Sequence, residues 1–180
     1  ATVAPRVLLC APSNSAADVL ASRLAAMLDA LLERLHSKPP AWLDDDADAE
    51  ARLDADTLLR LNPPSRAIAE VPVGILRFCH QVDGCFATPP LERLRSFRIV
   101  VCTCVASALL AVPTADGDDV ARPFTHVIID EASQALEPEA LLPLSLGKAG
   151  ASILLAGDHK QLGPSLRSNF CRERGLGQSL

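Results

Sequence analysis

The sequence predicts an α/β domain built on a parallel sheet, and three features point to it. Four short apolar runs recur along the chain, at Val7–Ala11, Ile99–Cys102, Val127–Ile129 and Ile153–Ala156. None of them alternates apolar with polar residues, which suits strands covered on both faces. Helix-like segments separate the runs, and strands alternating with helices imply parallel neighbours joined by right-handed crossovers. Hydrophobic residues make up 49% of the 180, enough to give one domain a real core.

Taken in order, the first strand is expected over 6–11 and is broken by Pro12. Ser13, Asn14 and Ser15 follow, residue types that cap a helix start. The helix expected over 15–35 carries Leu20, Leu24, Met27, Leu28, Leu31 and Leu35 at three- and four-residue steps, one apolar stripe to face the sheet. The free N–H groups of its first turn attract phosphate. Pro39-Pro40 then opens an acidic loop or insertion at about 36–57, a run expected to be solvated. Residues 57–95 are cut by Pro63-Pro64, Pro72 and Pro89-Pro90 into a small irregular subdomain. A strand over 98–103 ends at Thr103, whose hydroxyl suits a cap or turn and could also bind a phosphate oxygen. A short helix near 105–111, a strand over 126–130, a helix near 136–146 and a strand over 152–157 complete the order. Pro138 fits a first helical turn, whereas Pro143 should kink or shorten that helix.

The chemistry gathers at the carboxyl ends of the strands, where open α/β sheets bind ligands. Val127-Ile128-Ile129 runs straight into Asp130 and Glu131. An Asp at a strand tip can hold Mg²⁺ through its water shell, and a neighbouring Glu can orient or deprotonate an attacking water. That would be the metal and water half of a nucleotide triphosphatase site. The same two acids also fit a strand-to-helix turn, since negative charge is favoured at helix N-termini. The last apolar run ends in Gly157 and Asp158, followed by His159, Lys160, Gln161, Leu162, Gly163 and Pro164. A neutral amide such as Gln161 can donate to a phosphate oxygen and accept from water, so it could sense a γ-phosphate. Alone, the stretch reads as a polar loop closed by Gly-Pro.

Composition narrows the partners. With 3% aromatic residues and no Tyr, a base-stacking platform is not expected, and contacts to a nucleic-acid backbone are. The net charge of −5 hides an uneven distribution: residues 44–56 hold seven acids against Arg52 alone, and the remainder carries +1. Arg60, Arg66, Arg77, Arg93, Arg95 and Arg98 are then expected to form a modestly basic region whose binding is salt-sensitive and indifferent to sequence. No apolar run approaches the roughly 18 residues needed to cross a bilayer, so no membrane partner is expected. Cys10, Cys102 and Cys104 sit in or beside apolar strands as buried thiols. Cys79, His80 and Cys85 lack the spacing and the fourth ligand of a zinc site. A reducing compartment follows, cytoplasmic with the nucleus as the second choice. His36, His126 and His159 are expected at the surface or in turns.

Four segments, APSNSAADVL, VVCTCVASALL, VIIDEASQALEPEAL and LLAGDHKQLGP, resemble in this order motif Ia, the Ib or Ic strand, motif II and motif III of the first RecA-like domain of Upf-like superfamily-one helicases. LLRLNPPSRAI, LERLRSFRIVVCT and RSNFCRERGLGQSL are most similar to the Armitage-like RNA helicases of RNA silencing and antiviral defence, although members with zinc-finger extensions share much of this core. The resemblance implies a partial RecA-like P-loop NTPase domain over 1–180. It makes Asp130 the magnesium-shell carboxylate and Glu131 the catalytic base. Gln134 and Gln161, with Asp158 beside them, would couple the γ-phosphate to motion between domains, and Ser13, Asn14 and Thr103 would touch the backbone of a single strand. ATP and Mg²⁺ are the implied cofactors; single-stranded RNA or DNA and a second RecA-like domain of the same parent are the implied partners. The family's phosphate-binding loop, G-x-x-G-x-G-K-[ST], does not occur in these residues. Its place would be just upstream of Ala1, so the chain reads as a fragment incomplete at its N-terminus and inactive alone. The parent would be an ATP-dependent RNA helicase, 5′-to-3′, serving silencing, decay or antiviral defence. A catalytically inactive helicase-like RNA-binding module and a DNA-directed superfamily-one helicase stay open as alternatives. A transporter ATPase or a GTPase would want an LSGGQ-type or NKxD-type sequence, and neither is present.

Overall fold

The computed structural model describes residues 4–37, 57–111, 123–158, 160–161, 163–166 and 168–180. Seven strands are found among them: β1 (Val7–Ala11), β2 (Leu58–Arg60), β3 (Gln81–Val82), β4 (Cys85–Phe86), β5 (Ile99–Thr103), β6 (Phe124–Ile129) and β7 (Gly147–Leu155). Five form one parallel sheet in the order β2-β5-β1-β6-β7, while β3 and β4 make a separate antiparallel hairpin. The register aligns the carboxyl ends: Ala11 lies opposite Thr103, Cys10 opposite Ile129, and Ile129 opposite Leu155. The loops after β1, β5, β6 and β7 therefore open on one edge of the sheet.

Period-two alternation divides the core between the two faces. On one face α1 (Asn14–Ser37) packs with the segment that contains α2 (Val73–Leu76) and the hairpin, burying Ala11, Leu58, Val71, Ile75, Phe78, Phe86 and Val101. On the other, α3 (Leu91–Ser96), a 3₁₀ segment (Val105–Leu110) and α4 (Glu137–Leu144) cover Leu8, Cys10, Leu59, Val100, Cys102 and Ile129. A last short helix, α5, spans Asn169–Glu173. The parallel α/β architecture agrees with the fold class predicted from sequence.

Several local expectations are corrected. The stripe of α1 that meets the sheet is Ala17, Ala21 and Ala25, with Leu20, Leu24 and Leu28 half-buried beside it, whereas Met27 and Leu31 are exposed. Small residues at four-residue steps let the helix lie close to the strands, so bulkier flanking residues fall to the sides. The expected helix after Thr103 winds as 3₁₀ turns. β6 starts at Phe124, and His126 lies within this strand, paired with Val7, not in a turn. α4 stops at Leu144 with Pro143 buried in its last turn, and β7 starts directly at Gly147, across a register shift and a positive φ of 75° at Gly150. β2 was not legible, because its arginine disguises a fully buried strand. The acidic run at 44–56, His159 and the side chain of His36 lie outside the described residues. Among the described residues, no helix is long and apolar enough to cross a membrane.

Candidate functional site

Three backbone hydrogen bonds build the site at the carboxyl edge of the sheet. As β6 ends, the Asp130 amide donates to Cys10 O at 2.8 Å, tying this turn to β1. The Ala156 amide donates to Ile129 O at 2.8 Å, and the Ala132 amide donates to Ala156 O at 2.7 Å, so the turns after β6 and β7 are laced together. Gly157 sits where they touch. A Cβ there would come within 3.0 Å of the Ser133 amide nitrogen and 3.1 Å of that of Ala132, backbone atoms that would have to give by a few tenths of an ångström. Any side chain at 157 would push the two loops apart.

Asp130 and Glu131 are both half-buried at this edge. Glu131 adopts the left-handed conformation, φ 53° and ψ 37°, which an L-residue with a side chain adopts at a cost of about 1–2 kcal/mol. The chain thereby turns sharply into the 3₁₀ segment Ala132–Gln134. Gln134 donates from Nε2 to Glu131 Oε2 at 3.0 Å, fixing the carboxylate. Beyond the turn, Glu139 reaches back to the Leu136 amide at 3.2 Å and secures the start of α4. In the loop after β7, Asp158 accepts from the Lys160 amide at 2.9 Å and from Gln161 Nε2 at 3.4 Å. Gln161 and Ser133 line a common cavity of about 360 Å³ with Gly163, Pro164, Gly177, Gln178 and Ser179. Asp130 and Glu131 are not among its lining residues, though they immediately precede the turn that supplies Ser133. The Ser133 hydroxyl is buried without a hydrogen-bond partner among the described residues.

The three residues expected to meet nucleic acid lie on the same edge. Ser13 Oγ accepts from the Ala16 amide at 3.2 Å and caps α1. Thr103 Oγ1 accepts from the Ala106 amide at 3.1 Å and so starts the 3₁₀ segment. Asn14 accepts at Oδ1 from Arg60 Nη2 at 3.3 Å. Ser13 is exposed, and Asn14 and Thr103 are half-buried.

The expected basic region does not exist as one surface. Arg60 is completely buried and Arg66 is 9% exposed; both bind Asp18, at 2.9 Å and 2.5 Å. Asn62 joins them by accepting from Arg66 Nη1 at 2.7 Å. Arg77 pairs with Asp29 and lies over the Phe78 ring, and Arg93 lies over Phe97. Arg95 and Arg98 sit near Arg6, ahead of the first residues of β5 and β1 and thus at the opposite end of the sheet; burial and then their charges lower the pKa of Arg6. Spacing cannot separate these roles, because a buried arginine and a phosphate-binding one look alike in sequence. The brace of Asp18, Arg60, Asn62 and Arg66 escapes sequence reasoning for that reason.

The thiols of Cys10, Cys102 and Cys104 are buried, whereas Cys79 and Cys171 are half-buried and Cys85 is exposed. Cys10 and Cys102 face each other at 3.6 Å across β1 and β5, and their mutual hydrogen bond and burial raise the Cys10 pKa well above its ordinary value. Burial pushes Cys104 up to about 12 and Cys79 up to about 11. Among the described residues, no three His, Cys, Asp or Glu side chains are placed to hold a metal ion. A lone carboxylate such as Asp130 suits Mg²⁺, which keeps most of its waters and takes only one or two protein ligands.

Residues 91–169 match the family described as AAA domain. The RNA helicase Mov10l1 of Mus musculus is 35% identical over 176 residues, covering 97% of this chain and 12% of that protein. The Mus musculus protein named "Probable helicase with zinc finger domain" is 33% identical over 177 residues, again 97% of this chain but 8% of its own length. The Homo sapiens Mov10l1 is 35% identical over 175 residues. The chain thus spans a small part of each relative, and overall identity does not separate the two groups.

Proposed function

The chain belongs to the Upf-like superfamily-one helicases, and from that premise we propose that its parent couples ATP hydrolysis to movement along single-stranded RNA. The observation that carries the proposal is the lacing of the Asp130-Glu131 turn to the Gly157-Asp158 loop through Ala132 and Ala156. A change sensed at Gln161 has a short rigid route to the acids through that contact.

In this reading Asp130 would hold Mg²⁺ through its water shell, and the ion would supply neutralisation of charge on the transferring phosphoryl group. Glu131, held by Gln134, orients the attacking water and accepts its proton. Gln161 contacts the γ-phosphate from the cavity it shares with Ser133, with Asp158 fixing its loop. Ser13, Asn14 and Thr103 hold the sugar-phosphate backbone, and a second RecA-like domain of the parent closes over the same edge. The phosphate-binding loop is supplied by another strand beside β7, whose Ile153, Leu154 and Leu155 are 56%, 56% and 44% exposed. By likeness to the Armitage-like helicases, movement runs 5′ to 3′ and serves silencing, decay or antiviral defence in the cytoplasm or nucleus.

The test is made in the full-length parent. Glu131→Gln is expected to bind ATP normally and to hydrolyse it at least ~100-fold more slowly, the scale for losing a general base. Asp130→Asn is expected to abolish turnover. A Glu131→Gln protein that cannot bind nucleotide would refute the base assignment, and near-normal turnover in Asp130→Asn would refute the metal assignment.

A further inference from the structure

Beneath the start of α1, the buried guanidinium of Arg60 uses all three nitrogens. Nε donates to Asp18 Oδ1 at 2.9 Å, Nη1 to Leu61 O at 2.6 Å, and Nη2 to Asn14 O at 3.5 Å and Asn14 Oδ1 at 3.3 Å. A guanidinium has donors and no acceptor, so it can face only the oxygen of the Asn14 amide. The NH₂ of Asn14, with two hydrogens to give, must then turn away from Arg60. Arg60 cannot itself rotate, since Asp18 holds it and is held in turn by Arg66 Nη1 at 3.0 Å and Nη2 at 2.5 Å. Within this buried trio two positive charges meet one negative, leaving an excess positive charge under the helix start. Glu70, 3.9 Å from Arg66 Nε and two-thirds exposed, offsets it weakly.

We propose that Arg60 is a positioning residue for nucleic acid, fixing the Asn14 side chain so that its NH₂ is presented as a donor to a phosphate or ribose oxygen of the bound strand. The inference rests on the reading of Ser13 and Asn14 as nucleic-acid contacts. It adds why the amide is held in one orientation, and why a fully buried arginine lies behind it. Phosphate and sugar oxygens accept hydrogen bonds, and a flipped amide would offer them an acceptor instead.

The experiment measures the affinity of the full-length parent for a single-stranded RNA oligonucleotide by fluorescence anisotropy, in Asn14→Ala, Arg60→Met and the double variant. Each single change is expected to weaken binding about 10-fold, as for the loss of one hydrogen bond to a charged group. The double variant should bind no more weakly than Asn14→Ala, because Arg60 acts through Asn14. If the two losses multiply, Arg60 contributes independently and the inference is overturned. Should Arg60→Met fail to fold, Asn14→Asp decides: it keeps an oxygen toward Arg60 but turns another oxygen outward. It is expected to melt like the wild type and to bind RNA no better than Asn14→Ala; wild-type affinity would overturn the proposal. If Asn14→Ala and Ser13→Ala both bind RNA as the wild type does, the underlying reading of this helix start fails instead.

Discussion

At the scale of single residues, the strained backbone at Glu131 sits where a carboxylate is proposed to meet water. Left-handed residues other than glycine persist where surroundings over-determine them, and here the stitches at Asp130 and Ala132 do so. Strain at this position should be separable from function. Glu131→Gly relaxes the φ of 53° and is expected to leave stability unchanged or raise it by up to ~1 kcal/mol, glycine's entropic cost offsetting part of the gain. ATP turnover of the parent should meanwhile fall as far as in Glu131→Gln. Chemical denaturation and an ATPase assay, both on the parent, check the two halves; a clear loss of stability would mean that the Gln134 contact matters more to the fold than the backbone strain.

Among elements, the join between α1 and β2 depends on the buried charges of Asp18, Arg60 and Arg66. Removing the shared partner strands two guanidinium groups, so Asp18→Ala is expected to cost about 3–5 kcal/mol. Burial alone would raise the Asp18 pKa, but hydrogen bonds and charge from Arg66 and Arg60 outweigh it and hold the carboxyl below its usual range. A folded pKa below the unfolded one, which is about 3.9, means that the brace contributes fully above that value and weakens as pH falls through the folded pKa. Stability should therefore drop below about pH 4, and Asp18→Asn should flatten that part of the profile in urea titrations at successive pH values. The same join marks the limit of what sequence pattern reveals. β1, β5, most of β6 and the second half of β7 were legible because uninterrupted apolar runs have few alternatives, and the extent of α1 was legible from its caps and period, though not the alanine stripe that it buries. In the segment after residue 57, LLR offers three residues of strand with a charge inside, and the helices that follow are four and six residues long. Too few turns exist there for a period to register. Asp130 and Glu131 stood out because they directly follow an apolar run, and Gln161 because a neutral amide lies in the polar loop after another; Arg60 and Gly157 act through packing partners distant in sequence, and no local pattern announces them.

For the whole molecule, the exposed side of β7 is the feature that most constrains how the chain sits in its parent. Ile153 and Leu155 face one way and Leu154 the other, yet all three are exposed, on a strand whose one neighbour among the described residues is β6. Natural edge strands are blunted by charge, proline or brevity, whereas this nine-residue edge ends in an apolar triplet on both faces. An apolar edge of this kind pairs with whatever strand is at hand. Placed in water alone, the 180-residue chain should self-associate, and Leu154→Lys should reduce that association in sedimentation velocity because a lysine on an exposed edge opposes pairing. In the parent the same substitution has the opposite consequence. If the strand bearing the phosphate-binding loop lies beside β7 and its flanking helices cover the face, the introduced ammonium would be a buried unpaired charge, and the parent should lose several kcal/mol of stability together with nucleotide binding. A parent that tolerates Leu154→Lys without change in melting or ATP affinity would place the phosphate loop somewhere other than beside β7, and the route from Gln161 to the nucleotide would have to be redrawn.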